Sequence, residues 1–137
     1  MNGPLAAPGL TGMADAVLSE IASLATQYGE TGGSAAIELT SMPLTRQDRE
    51  AIAACLGRGE VEATIESAGR SEVWETAYAG VWFVRHLGLD GKVATETIEI
   101  CAAPLILFSH PDDRRAAAAR LGEDLRAKAA PVPRRRR

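Results

Sequence analysis

The stretch "GEVEATIES", residues 59–67, constrains this chain more than any other. Val61, Ala63 and Ile65 alternate with Glu60, Glu62, Thr64 and Glu66. A side-chain period of two belongs to a strand with one buried and one wet face. Turn signals follow at 67–70, "SAGR", and again at 88–91, "GLDG". They divide residues 59–101 into three runs, which short connections make antiparallel neighbours.

The middle run, "SEVWETAYAGVWFVRHL" (71–87), holds Trp74, Tyr78, Trp82 and Phe83, most of the aromatic residues in the chain. β-Branched and aromatic residues dominate its second half, and Gly80 would weaken a helix. It reads as one long strand, with room for a bulge at Ala79–Gly80. Pairing Leu87 with Lys92 then sets Phe83 against Glu96 and Val81 against Ile98. Val73, Ala77, Val81 and Phe83 share an aliphatic face with Ile98 and Ile100. Trp74, Thr76, Tyr78, Trp82 and His86 share the other with Thr95, Thr97, Glu99 and Cys101. This second face is either a further core layer or a partner surface, since Trp and Tyr dominate both buried cores and interface anchors.

Helices flank these strands. Ala14, Val17, Leu18, Ile21, Leu24, Ala25 and Tyr28 form one apolar stripe, predicting a helix over 14–28 that ends at Gly29. "AAIEL" is a short strand closed by Met42–Pro43. Thr45 caps a helix over 45–56, with Asp48 at its positive end and Ile52, Cys55 and Leu56 on its buried side. Ser109 or His110 starts a last helix over 110–128, with Pro111, Asp112 and Asp113 in its first turn and Ala117, Leu121 and Leu125 lining a buried side. The expected fold is α+β: a two-layer domain with a mainly antiparallel sheet of about four strands packed by about three helices. Residues 1–12 read as a disordered leader, 13–129 as a single domain and 130–137 as a disordered Pro/Arg tail.

The chain has 137 residues and a net charge of −3, four of its positive charges being Arg134 to Arg137. The acidic body makes a poor nucleic-acid platform. No apolar run is long enough to span a membrane, and no secretory signal is visible. Cys55 and Cys101 stand far apart, outside any zinc or disulfide pattern, and read as reduced, mostly buried thiols with no metal or cofactor to hold. Catalysis has thin support. Glu75, Glu96 and Glu99 offer carboxylates and His86 a base, but no nucleophile stands beside a base in a motif. Glu75 and Glu96 fall on the aliphatic face near Arg85, where an Arg85–Glu96 ion pair at the core edge is the plainer account.

Three strings, "LTSMPLTRQDREAIAACLGRGEVEATIES", "SEVWETAYAGVWFVRH" and "ETIEICAAPLIL", together resemble the hydrogenase expression/formation family of HupH/HyaF type. The likeness runs from about Val17 to Leu121 and rests on joint order and spacing. The resemblance implies a non-catalytic, chaperone-like cytoplasmic protein that helps assemble a [NiFe] hydrogenase. Its partner would be a hydrogenase subunit precursor, notably the iron–sulfur subunit, or another maturation protein, and a homodimer stays open. Many members carry a further region before the matching one. The family brings no catalytic residues to transfer. The partner surface expected here is the sheet face of Trp74, Tyr78, Trp82, His86 and Glu99. The competing readings are a small enzyme using Glu75, Glu96 or His86, and a generic dimeric interaction module.

Overall fold

The computed structural model describes residues 9–129. The chain divides into two compact units, Met1–Pro104 and Leu105–Arg137. The expected leader lies outside the described residues as far as residue 8, and the expected tail, 130–137, lies wholly outside them.

The first unit runs α1 (Met13–Thr31), β1 (Ala35–Glu38), α2 (Arg46–Leu56), β2 (Glu62–Glu66), β3 (Arg70–Glu75), β4 (Val81–Leu87) and β5 (Val93–Ile100). All five strands form one antiparallel sheet in the order β1-β5-β4-β3-β2. The α+β class is as the sequence predicts, with five strands in place of about four. β2 to β5 form a meander, and β1, made first, closes the far edge against β5.

The helices stop where their chemistry stops them. α1 continues past Gly29 to Thr31, because Gly32 is the residue that adopts the left-handed cap (φ 74°) and donates its N–H to the Tyr28 carbonyl. α2 begins with a reciprocal capping box: the Asp48 N–H donates to Thr45 Oγ1, and the Thr45 N–H donates to Asp48 Oδ2. Thr45 Oγ1 also donates to the Gly9 carbonyl. Asp48 is fully buried and accepts two more bonds, from the N–H and hydroxyl of Thr11. This clasp ties the approach to α1 to the start of α2. The hydrogen bond from the Thr11 hydroxyl is the main cause holding the Asp48 carboxyl down at about 2.

One core lies on one face of the sheet. Ala14, Val17 and Ile21 of α1 and Ile52 and Leu56 of α2 pack with Ile37, Trp74, Val81, Phe83, Ile98 and Ile100. The expected α1 stripe is intact, with Leu18, Leu24, Ala25 and Tyr28 packed against this core. The opposite face carries its own buried residues, Val73, Trp82 and Val84.

The second unit contains a short 3-10 turn, Leu105–Leu107, and α3 (Pro111–Ala129). The imidazole Nδ1 of His110 accepts the Asp112 N–H at the start of α3. Asp112 and Asp113 in the first turn, with Arg126 and Lys128 in the last, suit the helix dipole. Here the sequence expectation needs correction. No residue of α3 is buried, and Leu121 and Leu125, expected on a buried side, are exposed.

Candidate functional site

The placement of the rings turns on residues 76–80. The sequence suggests one strand through 71–87; the structure breaks it into β3 and β4 with a tight turn between. The Thr76 hydroxyl accepts the Tyr78 N–H and donates to the Tyr78 carbonyl, folding the chain back on itself. Gly80 completes the turn at φ 83°, a conformation other residues reach only with strain. Glu75 Oε2 accepts the Gly80 N–H at 3.4 Å.

This turn reverses the parity of everything before it. Trp74 pairs with Phe83, while Glu75 pairs with Trp82. Trp74 therefore faces the helices, with Phe83, Arg85 and Glu96, and Val73 and Glu75 point the other way. For Trp74, Val73 and Glu75 alike, this is the reverse of the sequence expectation. β4 against β5 also departs from the expected register: Val81 opposes Ile100, Phe83 opposes Ile98 and Arg85 opposes Glu96. The shift is two residues: one comes from Leu87 opposing Val93 rather than Lys92, and one from an irregularity at His86–Leu87, so those strands keep their expected faces.

The five residues expected at one partner surface are thus spread over three places. Trp82, His86 and Glu99 lie on the face away from α1 and α2. Trp82 is only 5% exposed, and its indole Nε1 donates to the Cys101 carbonyl at 3.2 Å. His86 Nδ1 sits 2.7 Å from the Ser71 hydroxyl across the β3–β4 pair. Glu99 is half-buried opposite Trp82. Trp74 is buried on the helix side, stacked on Phe83 with ring centroids 4.9 Å apart. The guanidiniums of Arg58 and Arg85 lie 4.1 and 4.9 Å from the Trp74 ring centre, both within cation–π range. Tyr78 rides the turn and is 56% exposed.

Around Trp74 runs a chain of ion pairs. Glu96 is buried; Oε1 accepts from Arg49 at 3.0 Å and Oε2 from Arg85 at 2.7 Å. Arg85 reaches on to Glu72, and Arg70 bridges Glu72 and Glu66. The Glu96 N–H donates to Thr40 Oγ1. Arg46, Arg49, Glu50, Phe83, Arg85 and Glu96 are among the residues lining an open groove of about 630 Å³. The expected Arg85–Glu96 pair is present. Both Glu96 oxygens are already engaged by cations, which is the state of a structural ion pair. Glu75, on the opposite face, does not join Glu96; it shares that face with Glu99, the two standing on either side of Trp82. Among the described residues, no cluster of three His, Cys, Asp or Glu has the geometry to hold a metal ion.

The two thiols differ from expectation. Cys55 is exposed on α2. Cys101 is half-buried, and burial, with Glu99 adding to it, pushes its thiol up.

A second, apolar groove opens where α1, α2 and the β3–β4 turn meet. Leu18, Ile21, Ala22 and Ala25 line one wall, Cys55 and Leu56 another, and Tyr78 and Val81 the end. Its volume is about 270 Å³. This groove is not foreseen from the sequence. The available signal was the pair Ala22 and Ala25, small residues beside an otherwise bulky stripe, which leave a gap between helices. The groove brings Tyr78, an aromatic ring with a polar tip, beside exposed apolar surface.

Comparison with known proteins agrees with the fold. The family model described as HupH hydrogenase expression protein, C-terminal conserved region, matches residues 12–128. Hydrogenase expression/formation protein HoxQ of Azotobacter vinelandii is 27% identical over 109 residues, 78% of this chain and 38% of its own length. Hydrogenase-1 operon protein HyaF of Escherichia coli is 30% identical over 87 residues, 64% of this chain and 30% of its own. The chain thus spans well under half the length of these relatives. Among solved structures, hydrogenase expression protein HupH from Thiobacillus denitrificans superposes with a TM-score of 0.77 at 38% identity, covering 88% of this chain and 98% of that one.

Proposed function

This chain belongs to the HupH hydrogenase expression protein family, and from that premise we propose that it is a non-catalytic accessory protein in the maturation of a [NiFe] hydrogenase. It acts in the cytoplasm and binds a hydrogenase subunit precursor or another maturation protein. The observation that carries this reading is the family match over residues 12–128. The site chemistry is consistent with it: Glu96 is held by two arginines, and Glu75 stands on the opposite face.

We assign docking to the apolar groove ending at Tyr78. Of the residues expected at a partner surface, Tyr78 is the one whose ring is already exposed, and binding energy comes from covering such a ring. Trp74 and Trp82 are assigned to stability, because both are buried within this chain. His86 and Glu99 lie on the other face and play no part in this docking.

Pull-down from cells making the hydrogenase tests the assignment. Tyr78→Ala should weaken capture of the precursor or maturation partner by about 2 kcal/mol, roughly 30-fold, with thermal stability unchanged. Ala22→Arg, which fills the groove with a charge, should abolish capture. Folded variants that capture the partner as well as the unmodified protein would reject the groove. Failure of the unmodified protein to capture any hydrogenase component would reject the maturation role itself.

A further inference from the structure

The sheet ends on two edges of different character. β2 is blunted by charge: Arg58 pairs with Glu62 and Arg70 with Glu66, so ionised side chains crowd that edge. Such charges are a common protection against strand-to-strand association. β1, Ala35–Glu38, is protected only by its shortness, four residues, and by Glu38 at its end. It contains no proline, lysine or bulge, and it is uncharged until Glu38.

The hydrogen-bond phase shows which β1 groups are free. The Leu39 N–H donates to the Glu96 carbonyl. Residues 35, 37 and 39 therefore turn their backbone groups toward β5, and Ala36 and Glu38 turn theirs away from it. Ala36 and Glu38 are exposed, and among the described residues no strand pairs with β1 on that side.

We propose that this edge joins two copies of the chain, β1 against β1 in antiparallel fashion, into one continuous sheet. The sequence is self-complementary about a two-fold axis at Ala36. There Ala36 meets Ala36 of the second copy, with no side chain large enough to obstruct the approach. Each Ser34 meets Glu38 of the second copy, so each carboxylate faces a hydroxyl. Ile37 meets Ala35, which extends the apolar helix-side layer across the axis. In this register the outward N–H and carbonyl groups of Ser34, Ala36 and Glu38 all find partners. Sliding one strand by two residues would set the two Glu38 side chains on a diagonal, where like charges repel. The β2 edge has no comparable solution, since self-pairing would gather Glu62, Glu66 and their arginines into one strip.

Analytical ultracentrifugation of the full chain tests this at about 100 µM, a concentration that populates any contact with a micromolar Kd. The unmodified protein should be a dimer. Ala36→Lys, which sets two ammonium groups against each other at the axis, should be a monomer that melts where the unmodified protein does once diluted to monomer. Ala36→Pro should also be a monomer; the Ala36 N–H points away from β5, so proline removes no existing ladder bond. Hydrogen exchange of the unmodified protein provides a readout free of folding defects. The amides of Ala36 and Glu38 should slow as concentration rises. A monomer at that concentration, a folded Ala36→Lys protein that remains dimeric, or exchange at these amides independent of concentration would each overturn the proposal.

Discussion

Replacing Trp82 by alanine separates core from interface in a single measurement. The indole is 5% exposed on the face away from α1 and α2. A buried Trp contributes about 200 Å² of contact surface, which at roughly 25 cal/mol per Å² is worth about 5 kcal/mol. Alanine retains its Cβ, and the walls relax partly around the void, so the expected loss is about 3–5 kcal/mol. The same change releases the Cys101 carbonyl from Nε1, adding about 1 kcal/mol at the upper end of that range. A domain of this size has about 5–15 kcal/mol in total, so the variant should sit near the limit of folding at about 37 °C. Urea denaturation at about 25 °C followed by far-UV circular dichroism measures the loss directly. Tyr78→Ala, at a ring that is 56% exposed, provides the contrast and should change stability by less than about 0.5 kcal/mol. A Trp82→Ala protein whose stability stays within about 1 kcal/mol of the unmodified one would refute the burial argument.

Two further outcomes follow from buried carboxylates. Asp48 is depressed in the folded chain from an ordinary value of 3.8 to about 2, so its ionised form favours folding. That contribution is complete above about pH 4, the unfolded value, and is lost as pH falls through about 2; Asp48→Asn should flatten the stability profile across this window, and an unchanged acid limb would count against the clasp. Glu96→Gln should cost about 2–3 kcal/mol, less than the roughly 3–5 of a fully buried pair, because Arg49 and Arg85 keep 34% and 29% of their side-chain surface in water; an unchanged denaturation midpoint would show that solvent replaces the carboxylate.

The parts of the fold legible in the sequence are those encoded locally. The α1 stripe and the Thr45–Asp48 start of α2 each lie within a short stretch of chain, and each is present. The alternation at 60–66 gives the strand Glu62–Glu66 but not the buried face expected of it: Val61 is exposed, and Ala63 and Ile65 are half-buried at the sheet edge, on the side of Val73 away from the helices. The faces of β4 and β5 follow from the sequence despite the two-residue register difference, because an even shift keeps every side chain on its side. The assignment for Trp74 did not survive, because the turn before Gly80 is made by a threonine hydroxyl rather than by Pro, Asn or Asp. "ETAYAG" has no strong turn signal apart from Gly80, and a lone glycine in a strand reads equally well as a bulge. The apolar groove was illegible for a different reason. It exists only where three segments distant in sequence converge, and no single stretch records it.

The strand order also sets a timetable for synthesis. α1 and β1 leave the ribosome before the rest of the sheet, yet β1 has no partner until β5 follows, because Ala35 pairs with Ile100. The β2–β5 meander assembles hairpin by hairpin between neighbours, while closure of β1 is a long-range step of the kind that slows folding. Until it happens, Val17 and Ile21 on α1 have no completed sheet to cover them. The nascent α1 can therefore pack against α2 while the meander is translated, but its packing on the sheet waits for residues 97–100 to pair with β1.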